Sequence, residues 1–326
     1  MKHLLGRAAG SAPGRALMSV LERADSHAPD VVRVLTYHLV SNREGFDAQM
    51  RYLARHYQPV PVAAILGALE GGPPLPPRAV AVTFDDAYEN FAEVAWPVLK
   101  RYGVPVTLFV PTAFPGQPGA YWWDELQQGL LHTPRQDTLE TPAGRLPLGT
   151  PQERAQAFRR LDAYLKTLPH DDALDLVSRI VPELGSTAPV PRVLGWDALR
   201  VLAAGGVTLG AHTRTHPLLT RVEAARAREE IAGSLADLRG KVGDDVPPVL
   251  AYPAGAYNSQ VVAAAREAGI RLAFTTVKGA NDLREIDPLR LRRINVTADA
   301  TAAALRARLL LYTARLNGLR EVPATA

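Results

Sequence analysis

The sequence predicts an α/β fold on a parallel sheet, either closed into a barrel or left open. Three observations predict it. Short apolar, β-prone runs recur at roughly 25–40-residue intervals, with helix-patterned segments between them. The runs at 79–84 and 104–110 flank one helical pattern, the spacing of a parallel βαβ unit. Several runs also end abruptly in carboxylates or imidazoles, and parallel folds gather their functional groups at strand C-termini.

Taken in order, residues 1–30 are rich in Ala, Gly, Ser and Arg and read as an N-terminal extension, with a short helix at 17–24. The main domain is expected over 31–297. Its first strand, from 31, ends at Tyr37-His38. Phe46, Met50, Leu53 and Ala54 have helical spacing over 46–57, and a second short helix runs through Leu69. Gly71 to Pro77 is a Pro/Gly-rich loop. The strand from 79 ends in Asp85-Asp86, and a helix over 88–102 is stopped by Gly103. After the next strand the rhythm breaks. Helices starting at 121 and covering 151–168 and 171–181 read as a helical insertion over about 112–195.

A short helix over 196–204 stops at Gly205-Gly206. The run from Val207 leads into His212-Thr-Arg-Thr-His216-Pro217. Val222, Ala225, Ile231, Leu235 and Leu238 share one face of a helix that Gly240 is expected to end. A strand from Val249 ends in Pro253-Ala254-Gly255. Asn258 caps a helix that Gly269 stops. Strands over 272–277 and 289–296 follow. The segment 298–326 is assigned to a C-terminal helix and tail, the amphipathic, Leu- and Arg-rich pattern starting at 297. No internal repeat is present.

Composition narrows the chemistry. The 326 residues include no cysteine, which excludes disulfides, thiolate metal sites and cysteine nucleophiles. Any metal must use His, Asp, Glu or water. The formal net charge of +4 comes without a dense basic stripe with interleaved aromatics, so nucleic acid is not an expected partner. Met1 to Arg7 opens like a signal peptide, but Arg7, Gly10 and Arg15 interrupt the apolar stretch, so cytoplasmic residence is expected. No run is long enough to span a bilayer. Oligomeric state is not legible.

Burying two adjacent carboxylates is costly unless they are paired or bind a metal. His212 and His216 are four positions apart, so on a helical turn or tight loop both rings can share one ion. One carboxylate completes a three-ligand set with an open position for water, the pattern of a catalytic zinc. The spare carboxylate is then free to act as a general base. Hydrolysis also needs a proton donor for the leaving group, and His38 is the other histidine at a strand end.

At Thr83-Phe-Asp85-Asp86, His212 to Pro217 and Ala251-Tyr-Pro-Ala-Gly255, the chain resembles the NodB-homology polysaccharide deacetylases, carbohydrate esterase family four. The similarity runs over about 34–296. It implies a distorted (β/α) barrel and metal-dependent removal of acetyl groups from N- or O-acetylated sugars. By position, Asp85 resembles the family's base, Asp86 its metal ligand, and His212 and His216 its two histidine ligands. The implied metal is zinc, with cobalt or nickel as alternatives. The Ala254 backbone N–H after Pro253 resembles the oxyanion donor. Tyr37-His38 resembles the branch that deacetylates biofilm polysaccharides, in which this early histidine is the catalytic acid.

Two departures stand out. Leu250 and Ala251 occupy the place of the Arg common before the third motif, and the late Leu-x-x-x-x-His motif is missing. His38 is the expected substitute for that acid, and Arg293 is expected to orient Asp85. Sugars stack on aromatic rings, so Tyr88, Tyr121, Trp122, Trp123 and Tyr257 are groove candidates, with Tyr252 and Pro253 beside them. The implied partner is an acetylated carbohydrate. The alternatives are a deacetylase of a small or lipid-linked acyl-sugar, a carbohydrate-binding pseudoenzyme, and a membrane-surface role for the Arg-rich C-terminal helix.

Overall fold

Apolar runs without alternation belong to strands covered on both faces, and that is how these runs are used. A computed structural model describes residues 30–117, 119–297 and 300–316. The expected helix at 17–24, the signal-like start and the tail from 317 lie outside the described residues.

Seven strands carry the architecture: β1 (Val31–Tyr37), β2 (Ala79–Phe84), β3 (Val106–Val110), β4 (Thr208–Ala211), β5 (Val249–Ala251), β6 (Leu272–Lys278) and β7 (Leu291–Asn295). Each pairs in parallel with the next. β1 pairs in parallel with both β2 and β7, so the ring is a closed barrel. Two-residue strands extend it, Gln58–Pro59 beside β2 and an antiparallel Asn281–Asp282 beside β1.

Alternate side chains point inward. Val32, Val34, Ala79, Ala81, Phe109, Leu272, Phe274 and Leu291 form one buried cluster, joined by Val62 and Ile65 of α2 (Val62–Leu69). The opposite parity, including Leu35, Tyr37, Val82, Phe84 and Leu108, packs against the helices. Small inward residues make room for the two Phe rings. At Gly210 a Cβ would collide with the Phe109 ring. The register of β7 on β6 shifts between Leu291 and Arg293, a distortion of the kind that re-aims side chains at a barrel rim.

The remaining helices are α1 (Arg43–His56), α3 (Trp96–Tyr102), α4 (Trp122–His132), α5 (Pro151–Leu165), α6 (His170–Glu183), α7 (Trp196–Ala204), α8 (Ala224–Val242), α9 (Ser259–Glu267) and α10 (Ala302–Leu316). Three local expectations change. A π turn, Phe91–Ala95, precedes α3, and the Trp96 N–H bonds to the Phe91 carbonyl. Pro97 offers no N–H to the carbonyl four residues back and crowds it, which favours the wider turn. α8 passes through Gly240 and ends at Gly243, φ +138°. A glycine inside a helix costs only about 1 kcal/mol, and Val242 beyond it packs on the core.

The insertion is not purely helical. It carries an antiparallel hairpin, Thr138–Thr141 with Gly144–Pro147. Leu139 and Leu146 pack with Leu126, Leu130, Leu161 and Ile180 into a core of the insertion's own. So short an alternation is easily missed between helices. Leu305 and Leu309 of α10 are buried in the main core, and α10 lies on α1, which uses its apolar face within the fold rather than at a membrane. Among the described residues no helix is long and apolar enough to cross a membrane.

Candidate metal centre

The inward column of β2 is Ala79, Ala81 and Thr83, and Asp85 continues it at the barrel mouth. The Asp85 N–H donates to the Tyr37 carbonyl of β1 at 3.0 Å. The chain then turns through left-handed conformations at Asp86 (φ 71°) and Ala87 (φ 48°). Such backbone costs roughly 1–3 kcal/mol per residue and persists where surroundings enforce it. Here the Tyr121 hydroxyl donates to the Asp86 carbonyl at 2.5 Å.

His212 and His216 sit on a tight loop after β4, not on a helical turn. Thr213 (φ 64°) and His216 (φ 57°) both take the left-handed conformation. α8 clamps this loop. Glu230 accepts from the Arg214 N–H, the Thr215 N–H and the Thr215 hydroxyl, at 2.8, 2.8 and 2.5 Å. Asp237 accepts from Arg214 Nε and Nη2 and from the Thr112 hydroxyl.

The structure brings Asp86, His212 and His216 together. One ligand atom from each lies within 4.8 Å of the others. Asp86 Oδ1 is 3.5 Å from Nε2 of both imidazoles and, although buried, has no hydrogen-bond partner. His212 Nδ1 lies 2.6 Å from the Ala251 carbonyl. That carbonyl can only accept, so Nδ1 carries a proton, and in the neutral ring the Nε2 lone pair faces Asp86. Burial first, and then the neighbouring His212, push the His216 pKa down to about 3, which keeps that ring neutral. Burial also lowers His212, but contact with Asp86 and the charges of both aspartates outweigh it and raise its pKa. A cation at this point would supply the positive charge that the carboxylates otherwise draw from His212. One buried, unpartnered carboxylate oxygen facing two imidazole nitrogens fits a divalent metal with N and O ligands.

Asp85 has another partner. Arg293 Nη1 and Nη2 each donate to one of its carboxylate oxygens at 2.7 Å. Arg293 is itself held by Nε donating to the Thr275 carbonyl at 3.0 Å, and it lies over the Phe109 ring inside the barrel. Burial acts to raise the Asp85 pKa, but the charge of Arg293, then that of His212, and the Arg293 hydrogen bonds outweigh it and hold the carboxyl well below the usual range. His38 stands at the rim with its side chain 45% exposed, Nε2 3.9 Å from Asp85 Oδ2 and from Asp86 Oδ2. Ala254 is exposed on a left-handed turn after β5, and its carbonyl accepts from the Thr276 hydroxyl. The next residue must be glycine: at Gly255 (φ +69°) a Cβ would collide with Thr276.

The aromatic residues divide. The Trp123 ring lies 4.4 Å from that of His216 and stacks on Tyr121 at 4.3 Å. Tyr88 is buried and spends its hydroxyl inside the fold. It accepts from Trp123 Nε1 at 3.1 Å and donates to Asp124 Oδ2 at 2.6 Å. Trp122 packs on the insertion core. Tyr252 and Pro253, expected at the groove, are buried, and the Tyr252 hydroxyl donates to the Leu289 carbonyl. Strand parity turns Tyr252 towards the helices, and Tyr257 stacks on it there. Tyr252 and Pro253 therefore offer no side-chain surface to a ligand.

Sequence reasoning missed Asp124, Glu230 and Asp237. The last two carried a signal, being acids one heptad apart on the α8 stripe that includes buried Ala227 and Ser234. Asp124 carried none beyond its place in an aromatic run.

Comparison with known proteins bears on family and fold. A family model described as polysaccharide deacetylase matches residues 72–273. The poly-beta-1,6-N-acetyl-D-glucosamine N-deacetylase of Escherichia coli (strain K12) is 47% identical over 49 residues, which are 15% of this chain and 7% of that protein. The chain thus spans only a small part of that relative's length. The putative polysaccharide deacetylase YxkH of Bacillus subtilis (strain 168) is 21% identical over 288 residues, covering 86% of this chain and 76% of that one. The Streptococcus pyogenes deacetylase PplD, solved in complex with acetate, has the same fold, with a TM-score of 0.58 and 19% identity over 86% of this chain and 99% of that one. The family match takes in the Asp-Asp turn, the His-x-x-x-His loop and the turn after β5, and the chain belongs to the polysaccharide deacetylase family.

Proposed function

We propose that this protein is a metal-dependent hydrolase that removes acetyl groups from N-acetylated sugar units of a polysaccharide. One observation carries the reading: Asp86, His212 and His216 converge on one point beside a second aspartate clamped by an arginine. The nearby relative named as an N-deacetylase supports amide over ester substrates.

Asp86, His212 and His216 would hold a divalent ion, zinc in the first place, which would lower the pKa of water and polarise the acetyl carbonyl. Asp85 accepts the water's proton, and Arg293 holds its carboxylate in one orientation for that transfer. The Ala254 N–H donates to the developing oxyanion. His38, reaching in from solvent, protonates the leaving amine. Trp123 offers its ring to the substrate beside His216. Water and the N-acetyl unit are consumed, and acetate and the free amine result.

The test is acetate release from a panel of N- and O-acetylated hexosamines and their polymers, with added Zn²⁺ or Co²⁺ or with a chelator. Release that depends on metal and favours N-acetyl substrates is expected. Sugar binding with intact metal and no acetate release would instead indicate a carbohydrate-binding pseudoenzyme.

A further inference from the structure

The carbonyls of Asp86 and Ala87, the two left-handed residues of the metal turn, each find a donor in the insertion. The Tyr121 hydroxyl, at the entry to α4, donates to Asp86 at 2.5 Å. The Leu194 N–H, near the insertion's end, donates to Ala87 at 2.9 Å. Two residues further on, the Glu89 N–H donates to the Arg192 carbonyl at 2.8 Å. The turn is therefore clipped from both ends of a segment that has a hydrophobic core of its own.

Glycine takes the left-handed conformation at little cost, and this turn has none at either position. Two adjacent residues held there need support from their surroundings, and the turn decides where the Asp86 carboxylate points. Tyr121 is placed to give that support. Its side chain is fully buried, and Phe114 at 4.6 Å and Tyr88 at 5.4 Å pack edge-on against its ring. The same ring stacks on Trp123, 8° from parallel, and the Trp123 ring lies 4.4 Å from that of His216. The start of α4 thus touches two ligands that come from different strands, one at its backbone and one at its ring.

We propose that Tyr121 is a positioning residue for Asp86, and that through it the insertion and the metal centre form one coupled unit. Docking of α4 strengthens metal binding, and by linkage a bound metal strengthens the docking of α4 to the same extent. The inference rests on the metal-centre reading of Asp86, His212 and His216.

The experiment measures Zn²⁺ affinity, by competition with a chromogenic chelator, in wild type, Tyr121→Phe and Thr133→Val. Phenylalanine keeps the aromatic packing and removes only the hydroxyl. Thr133, at the other end of α4, likewise donates a buried hydroxyl to a backbone carbonyl, that of Leu184 at 2.6 Å, so its loss reports general loosening of the insertion. Tyr121→Phe should weaken Zn²⁺ binding about 10–100-fold, the range for groups that orient a metal ligand, and Thr133→Val should leave it unchanged. A second measurement needs no variant. In wild type, Zn²⁺ should slow amide hydrogen exchange over 121–132 by a larger factor than over α9, which packs on α8. Wild-type affinity in Tyr121→Phe, an equal fall in Thr133→Val, or exchange over 121–132 slowed no more than over α9 each overturns the coupling and leaves the metal centre standing. Wild type that binds no Zn²⁺ overturns the metal-centre reading and the coupling with it.

Discussion

Arg293 and Asp85, 208 positions apart, meet in a two-pronged hydrogen bond of 2.7 Å on each arm, with 1% and 3% of their side chains exposed. The arginine common before the third motif is absent, and β7 supplies a guanidinium from another direction. Breaking such a buried pair leaves one charge uncompensated, at about 3–5 kcal/mol. Arg293→Met should therefore lower Tm markedly. The double variant Arg293→Met with Asp85→Asn should recover part of that loss, because no charge is then stranded. A double variant no more stable than Arg293→Met would contradict the pairing.

Asp85 and Asp86 adjoin but are assigned different tasks. Asp85→Asn should retain the metal while turnover falls by about 10²–10⁴-fold, the range for losing a general base. Asp86→Ala and His216→Ala should lose the metal itself. Metal content after dialysis, set against acetate release, separates the two outcomes. Near wild-type turnover in Asp85→Asn would sink the assignment of the base.

Glu230 touches no ligand atom, yet it receives three hydrogen bonds from the loop that carries His216. Outer-shell partners of this kind typically change metal affinity by about 10–100-fold. Glu230→Ala should weaken Zn²⁺ binding within that range, measured by competition with a chromogenic chelator. Glu230→Gln, which keeps an acceptor, should lose less. Unchanged affinity in Glu230→Ala would show that the loop holds its shape unaided.

Asp124 carries a pH signature. Its carboxyl is pushed up to about 7 from the ordinary 3.8, chiefly by burial, against the opposing Tyr88 hydrogen bond and with the Asp86 charge adding to the rise. A folded value above the unfolded one means that folding favours the protonated form. The contribution is therefore fully retained below about pH 4 and lost as pH rises towards 7. Asp124→Asn lacks this loss, so its Tm relative to wild type should climb over that interval, measured in chelator. Asp124→Leu, with no acceptor for Tyr88, should also release Trp123 and reduce turnover. A Tm difference between Asp124→Asn and wild type that stays flat with pH would refute the buried-acid account.

Fold class and element order were legible in the chain because each depends on local pattern, and so were the two motifs that meet at the candidate metal centre; the choice of Asp86 over Asp85 as ligand came from the family resemblance. Inward and outward parity along a strand is a matter of sequence period. Parallel strands place all their C-termini on one face, so runs ending in Asp-Asp and His-x-x-x-His could meet at one site. The fate of the aromatics was less legible. Tyr252 and Trp123 are alike as sequence, but parity sends one under the helices while α4 sets the other against His216.

Periodicity alone left barrel and open sheet undecided and the family resemblance implied a barrel; the tertiary structure closes it, through the pairing of β1 with both β2 and β7. It alone set Glu230 under the histidine loop and Asp124 behind Tyr88, whereas Arg293 on Asp85 was already expected from the missing arginine and is there in the fold. Those contacts join residues distant in the chain. Periodicity records which way a side chain faces, whereas its partner depends on which elements become neighbours once the barrel has formed.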